Sequence, residues 1–218
     1  VNFAACFFDF DGVLADSVEV KTEAFRALYL PDGPEVADRV VAHHRDNGGM
    51  SRFDKFAVYE REFVGRPFDD ARCQELAGRF SELVLAGVLA APAIPGAEEF
   101  LRQAAAACPC FVVSATPEPE IRHIVTERAL APLLTEVTGA PTSKTENLAR
   151  LLREHRLDPT ACVFFGDAVS DSDAAPAGGV RCVGRAPGPG AALVRRHPEV
   201  ERYPDFNSLG QAWGKTGQ

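Results

Sequence analysis

The stretch Phe3-Ala4-Ala5-Cys6-Phe7-Phe8-Asp9-Phe10-Asp11-Gly12-Val13-Leu14 decides the fold. Its first six residues are apolar and include three phenylalanines, a pattern that predicts a buried β-strand over Phe3–Phe8. Two carboxylates follow, two residues apart, where the strand must give way to a turn at Gly12. Alternate side chains of a strand point the same way, so Asp9 and Asp11 can approach one site together. Like charges at the end of a buried strand are expensive. Either the two are solvated turn residues, or a cation or an anionic reaction partner explains them.

Working outward, short apolar runs recur at Cys110–Val113, Thr135–Thr138, Cys162–Phe165 and Val180–Val183. Helical patterns separate them at Ala97–Ala107, Glu118–Ala129, Thr145–His155 and Ser172–Ala177. This alternation predicts an α/β fold, a doubly wound parallel sheet of the Rossmann-like kind. The tail predicts a short strand near Val200–Tyr203 and a last helix near Ser208–Trp213. One stretch breaks the alternation. Residues 18–89 contain no strand-like run, only four amphipathic segments: Val18–Tyr29, Glu35–His44, Arg52–Val64 and Asp69–Leu89. A crossover helix needs about a dozen residues, so this is an inserted all-helical domain. The expected division is a core of residues 1–17 and 90–218 with a helical cap of 18–89, hinged near Ala15–Ser17 and Leu89–Pro95. Leaving the end of the first strand, the insertion sits over the C-terminal edge of the sheet, where open α/β sheets bind ligands.

Composition bounds the function. The chain has 218 residues, 46% of them hydrophobic, and a formal net charge of -8. That balance argues against nucleic acid as a partner, which needs a basic footprint. No run of about 18 apolar residues predicts a membrane span. The six cysteines are Cys6, Cys73, Cys108, Cys110, Cys162 and Cys182. Only Cys108-Pro109-Cys110 forms a close pair, and no second pair completes a zinc site. Free thiols, and no charged leader ahead of the first strand, predict a cytoplasmic protein. The sequence carries no signal for oligomeric state.

Three further polar signals each follow an apolar run. Ser114-Ala115-Thr116 precedes Pro117, and reads either as an anion seat or as a helix start with Thr116 as N-cap and Pro117 at the first position. Ser143-Lys144-Thr145-Glu146 contains a capping box, with Lys144 in a first turn whose dipole disfavours a cation. Lys144 is then a solvated surface residue or a charge kept for a role. Gly166-Asp167-Ala168-Val169-Ser170-Asp171 ends a buried strand on Asp167; Asp171 reads alternatively as a first-turn acid behind an N-cap Ser170. Together, four carboxylates, a hydroxyl and a lysine project from one sheet edge. Oxygen ligands without imidazole or thiolate suit Mg²⁺, and the lysine and hydroxyl suit a phosphoryl group.

The set Asp9-x-Asp11-Gly12-Val13, Ser114-Ala115-Thr116, Lys144 and Gly166-Asp167-x-x-x-Asp171 resembles the four motifs of the haloacid dehalogenase superfamily. Insertion of the helical module straight after the first motif resembles its phosphoglycolate phosphatase and β-phosphoglucomutase branch. The resemblance implies a Mg²⁺-dependent phosphatase acting on a small phosphorylated metabolite, such as a sugar phosphate. It implies that Asp9 is the nucleophile, becoming an aspartyl phosphate, and that Asp11 protonates the leaving oxygen and then deprotonates the attacking water. Ser114, with Ala115 beside it, and Lys144 would hold the phosphoryl group. Asp167 would ligate Mg²⁺ with the Asp9 carboxylate and the Asp11 main-chain carbonyl, and Asp171 would support that shell through water or Lys144.

The loop Gly48-Gly49-Met50-Ser51-Arg52-Phe53-Asp54-Lys55 resembles the Gly-x-Ser-Arg cap loop of β-phosphoglucomutases. There the arginine grips a non-reacting phosphate. Arg52 would be that residue, with Lys55, His44 or Arg45 as helpers; a capped helix start at Ser51 is the alternative. Mutases of the branch typically carry a histidine four residues after the Ser/Thr that closes the first motif. Here Ser17 is followed at that spacing by Lys21, which favours hydrolysis over a phosphosugar mutase. A catalytically silent metabolite-binding protein is the remote third reading.

Overall fold

The run Ala5–Phe8 forms strand β1, every residue of it buried. The strand begins two residues later than the apolar pattern predicts. The computed structural model describes residues 3–188 and 190–215. Helices α1 (Val18–Tyr29), α2 (Pro34–Asp46), α3 (Arg52–Val58) and α4 (Asp70–Ala90) follow. A π-helical stretch, Tyr59–Val64, continues α3. Then come α5 (Ala97–Ala105), β2 (Cys110–Pro117), α6 (Glu118–Glu127), β3 (Glu136–Ala140), α7 (Lys144–Glu154), β4 (Cys162–Gly166) and α8 (Val169–Ala177). The described chain ends with β5 (Arg181–Arg185), α9 (Ala192–Arg196), β6 (Glu201–Tyr203) and α10 (Phe206–Lys215). Helix α9 has no counterpart in the sequence reading; five residues are too few to show a period.

The six strands form one parallel sheet in the order β3-β2-β1-β4-β5-β6. The strand order reverses between β1 and β4, so the crevice at their C-terminal ends is the topological switch point. Alternation divides the core. Phe8, Phe10 and Phe165 face one side with residues of α5, α6 and the insertion; Phe7, Phe111 and Phe164 face the other with Leu148, Leu151 and Leu152 of α7. Phe8 stacks on Phe165 at 5.1 Å between ring centroids, and Phe7 on Phe111 at 5.0 Å. These cross-strand aromatic pairs lock the register that sets Asp9 beside β4.

Helices α1–α4 lie between β1 and α5, without a strand among the described residues. Their interior is aromatic. Phe25 meets Phe80 at 4.3 Å and Tyr59 at 5.6 Å, and these rings join the same apolar cluster as Phe8 and Phe10. The two passages into the insertion run together as a strap. Asp16 N–H donates to the Pro92 carbonyl (2.8 Å), Ile94 N–H to that of Leu14 (3.3 Å), and Ala15 pairs with Ala93 as an antiparallel bridge. The Arg128 guanidinium, just past α6, donates to the Val88, Leu89 and Ala91 carbonyls at the end of α4, the last at 2.6 Å. It supplies the partners that a helix C-terminus lacks.

Two local expectations are corrected. Thr116 is not an N-cap: β2 runs on through Pro117, which itself takes the cap position of α6. Ser170 is not one either. Helix α8 starts earlier, with Ala168 at the cap and Asp171 accepting from the Ala168 N–H at 3.1 Å. For Thr116 a tertiary partner prevails over local capping, its hydroxyl donating to Asp11 Oδ2 at 3.1 Å.

Candidate active site

Strand β1 carries Asp9 to the switch point. Its N–H donates to the Phe165 carbonyl of β4 at 2.9 Å, so Asp9 still belongs to the sheet and is buried. Oδ1 accepts from the Phe10 N–H at 2.6 Å. Oδ2 meets the Lys144 ammonium at 2.6 Å. The chain then turns tightly, with the Leu14 and Ala15 N–H groups returning to the Phe10 carbonyl. Gly12 takes φ +78° in this turn, and a Cβ there would stand 2.0 Å from Asp167 Oδ2. Only glycine lets the Asp167 carboxylate come this close.

Strand β4 delivers Asp167 opposite Asp9, and α8 delivers Asp171. Carboxylate oxygens of Asp9, Asp167 and Asp171 lie within 4.8 Å of one another. Lys144, the first residue of α7, spans the gap between Asp9 and Asp171, 2.6 Å from each. Its misplacement against the α7 dipole is thereby explained, since the two carboxylates outweigh the helix. The capping box of Ser143 and Glu146 forms as expected and carries the N-terminus without it.

Electrostatics define what the cluster lacks. Burial, with help from Asp171 and Asp11 and against Lys144, pushes the Asp9 carboxyl up to about 7. Burial, then Asp9, Asp171 and Asp11, against Lys144, push Asp167 well above its ordinary value. Burial works against the Lys144 charge, but Asp171 and Asp9 prevail and raise its pKa. The two directions agree once Lys144 is seen as shared: one ammonium serves two carboxylates while a third stands by. Asp11 has its own cation. Burial opposes its charge, yet Lys21, Ser17 and Thr116 outweigh burial and lower its pKa. Lys21 is ion-paired with Asp11 Oδ2 and donates to Thr116 Oγ1 at 2.7 Å, and Ser17 Oγ donates to Asp11 Oδ1 at 2.6 Å. Ionised in full, four carboxylates meet two ammonium groups, leaving two negative charges without a partner. An all-oxygen site short of two positive charges fits a divalent hard cation.

Ser114 is buried within β2, its Oγ accepting from the Thr116 N–H at 3.1 Å. Ala115 and Thr116 line a cavity of about 460 Å³ that also touches Asp9, Asp11 and Asp167. Its far wall belongs to the insertion and includes Arg52, Lys55 and His44. The insertion reaches the core directly here. Gly49 has φ +78°, and a Cβ on it would strike Ser170 Oγ at 1.9 Å, in the first turn of α8 between Asp167 and Asp171.

Arg52 lies on the cavity wall, but its guanidinium is committed elsewhere. Its two terminal nitrogens grip the Glu120 carboxylate of α6 at 2.9 and 2.6 Å, and one also meets Ser81 Oγ of α4 at 2.8 Å. Burial opposes the Glu120 charge, but Arg52 prevails and lowers its pKa. Both side chains are nearly buried, 4% and 11% exposed. Arg52→Met would strand Glu120 and should cost about 3–5 kcal/mol in chemical denaturation; adding Glu120→Gln should recover most of it. A double variant no better than the single would show that the two do not act as a pair.

Sequence reasoning missed Lys21, Ser17 and Thr116 as partners of Asp11. A signal existed for two of them: Ser17 and Lys21 are four apart at a helix start and share a face. For Glu120 there was none, since it stands 68 residues from Arg52 in the chain.

The comparisons with known proteins agree with this geometry. No curated protein matches the sequence. Among solved structures, the fold is similar to a predicted phosphatase from Clostridium acetobutylicum (16% identity, 99% of this chain and 100% of that one, TM-score 0.77). It is also similar to a predicted phosphoglycolate phosphatase from Haemophilus somnus (17%, 98% and 99%, 0.74). CbbY from Rhodobacter sphaeroides, solved in complex with phosphate, is 21% identical over 95% of this chain and 96% of its own, with a TM-score of 0.71. A model of the haloacid dehalogenase-like hydrolases matches residues 3–179. With the four motifs assembled around one switch point and that match covering most of its length, the chain belongs to the haloacid dehalogenase-like hydrolase family.

Proposed function

We propose that this chain is a Mg²⁺-dependent phosphomonoester hydrolase acting on a small phosphorylated metabolite through an aspartyl phosphate on Asp9. The observation that carries the reading is the cluster at the switch point: Asp9, Asp167 and Asp171 around Lys144, with Asp11 beside them on its own cation. Asp9 Oδ2 attacks phosphorus while Lys144 offsets negative charge on the transferring group. Ser114 and the backbone of Ala115 seat that group's oxygens. Asp11, held ionised at rest by Lys21, Ser17 and Thr116, takes up a proton from solvent as substrate binds, gives it to the leaving oxygen and then takes one from the water that releases phosphate. Asp9, Asp167 and the Asp11 main-chain carbonyl would hold Mg²⁺, with Asp171 keeping Lys144 in place. When bound, the ion neutralises charge on the phosphoryl oxygens and on the cluster. The helical insertion, residues 18–89, acts as a cap that closes over the substrate and excludes water, with Arg52 holding it shut and Lys55 and His44 facing the leaving group. No helix of the described residues is long and apolar enough to cross a membrane, and a cytoplasmic setting suits the free cysteines.

The test follows inorganic phosphate and positional isomers together, in reactions with p-nitrophenyl phosphate and with sugar monophosphates. Net phosphate release without a bisphosphate activator is expected. Isomer interconversion with negligible release would replace hydrolysis by a mutase reaction, and no turnover of any ester would leave a silent binding protein.

A divalent ion should be required absolutely, with Mg²⁺ preferred and Ca²⁺ inhibitory, because Ca²⁺ takes more ligands in looser geometry. EDTA should stop phosphate release. Mg²⁺ should also raise the melting temperature of the resting protein, since it binds only the folded cluster. Full activity in excess EDTA, with no thermal shift, would count against the site.

A further inference from the structure

Three thiols that phosphoryl transfer does not use gather at the end of the sheet opposite the switch point. Cys6 is the second residue of β1 and Cys110 the first of β2, and they are partners in the parallel register. Cys108 stands in the turn between α5 and β2. Cys6 and Cys110 belong to one apolar cluster and Cys108 packs against it, whereas Cys162 belongs to the cluster on the other side of the sheet. The sulfurs of Cys6 and Cys108 are 3.7 Å apart, although the residues are 102 positions apart in the chain. Their backbones run side by side, with the Cys6 N–H donating to the Pro109 carbonyl at 3.0 Å. Cys110 Sγ is turned to the Cys108 carbonyl, to which it donates at 3.6 Å. All three are free thiols.

Burial sets their order of reaction. Cys6 is 2% exposed, whereas Cys108 is half-buried and is the thiol an oxidant can reach. Hydrogen bonding to Cys110, then burial, raise the Cys6 pKa, so Cys6 waits as a protonated thiol. Burial also raises the Cys108 pKa, which makes the site slow and suits it to sustained oxidant rather than to a trace. A disulfide needs the two sulfurs to close from 3.7 Å to about 2.05 Å. Cys108 lies outside any helix or strand, so its turn can supply that movement.

We propose that Cys6 and Cys108 are a modification site for hydrogen peroxide, which joins them in a reversible disulfide between the strands on the two sides of the helical insertion. The Cys108 sulfur attacks one peroxide oxygen, the O–O bond breaks, and a sulfenic acid forms as water leaves. The Cys6 sulfur then attacks the Cys108 sulfur; the S–O bond breaks, and the leaving hydroxide takes the Cys6 proton as a second water. Two thiols lose two electrons and two protons, and the peroxide gains them. A small-molecule thiol reverses the bond by exchange. The link encloses residues 6–108, the whole insertion among them, and closing so long a loop restricts the unfolded chain far more than the folded one. The oxidised protein is therefore the more stable form. Asp9 keeps its contacts with the Phe10 N–H, Lys144 and β4, none of which involves a thiol, so the switch point is undisturbed. The site stands whether or not the chain hydrolyses phosphomonoesters.

The experiment treats the purified chain with hydrogen peroxide, blocks the remaining thiols and maps disulfides by non-reducing peptide mass spectrometry. Thermal melts are recorded beside it, before and after dithiothreitol. A Cys6–Cys108 link is expected, with a melting temperature about 5 °C or more above that of the reduced chain and a return to it on reduction. Cys108→Ser should show no peroxide-dependent rise, while Cys73→Ser, on α4, should keep the full rise. No variant of the buried Cys6 is needed, since the map reads that residue directly. A link from Cys110 to either neighbour, or Cys108 left as a sulfinic acid with Cys6 still free, would overturn the proposal. So would a Cys6–Cys108 link that leaves the melting temperature unchanged or lowers it.

Discussion

Asp9→Asn should abolish phosphate release while the protein stays folded. The Asp9 carboxylate lies in the sheet at the end of β1, and its two oxygens have separate partners, the Phe10 N–H and Lys144. The amide is the same size and keeps an oxygen for one of them. Removing the charge also relieves a crowd, because Asp9 is pressed by Asp171, Asp11 and burial. Stability therefore has no reason to fall, and Lys144 retains Asp171 at 2.6 Å. Chemistry has every reason to fail, since an amide oxygen is a poor nucleophile toward phosphorus. Loss of the group that forms the covalent intermediate costs a factor on the order of 10⁴–10⁶ in kcat. The check is a phosphate-release assay beside a thermal melt. Near-normal turnover in a folded variant would move the nucleophile elsewhere. Asp11→Asn should fail differently, with slow formation and slow hydrolysis of the phosphoenzyme, and rapid quenching would separate the two.

What the sequence made legible followed from local rules. The apolar runs before Asp9, Ser114 and Asp167 are buried strand residues with hydrophobic neighbours on both sides, and a parallel sheet writes such strands as continuous apolar stretches. Asp9 and Asp167 stand at the ends of two of these runs, so locating the strands located these two carboxylates; Asp11 follows in the turn and Asp171 in α8. The insertion was legible for the complementary reason, the absence of any period-two run between Val18 and Ala90. What escaped the reading was set by tertiary contact. Strand β2 runs on to Pro117 because Thr116 answers to Asp11 and Lys21 across the crevice, contacts 105 and 95 residues apart in the chain. Asp171 was read as a first-turn acid or a site residue; its two oxygens do both, one on the Ala168 N–H and one on Lys144. Arg52 was read as a grip for a non-reacting phosphate; its partner in the structure could not be seen, because Glu120 belongs to a helix whose approach to the insertion only the fold decides.

Lys144→Met carries the second large expectation, and it touches stability and chemistry together. The ammonium is 5% exposed and is shared by Asp9 and Asp171, itself fully buried. Taking away one partner of a buried ion pair leaves an uncompensated charge and costs about 3–5 kcal/mol. Here two carboxylates are stranded at once, with Asp167 beside them. The sign of the pH dependence follows. Asp9 is pushed up to about 7 even with Lys144 present, and without it must rise further. An acid whose folded pKa is raised costs stability as pH climbs from its unfolded value, about 4, through the folded one. The variant should therefore melt furthest below wild type at pH 8 and approach it at pH 5. Mg²⁺ should restore part of the loss at pH 8 by supplying positive charge to the same carboxylates. Turnover should not return with stability. On the proposed mechanism Lys144 is also the protein's own cation beside the transferring phosphoryl group, and removing one such preorganised contact costs on the order of 10²–10³ in kcat. A variant as stable as wild type at pH 8 in the absence of metal would mean that the carboxylates relax outward into solvent, and that Lys144 is not the charge that holds the switch point together.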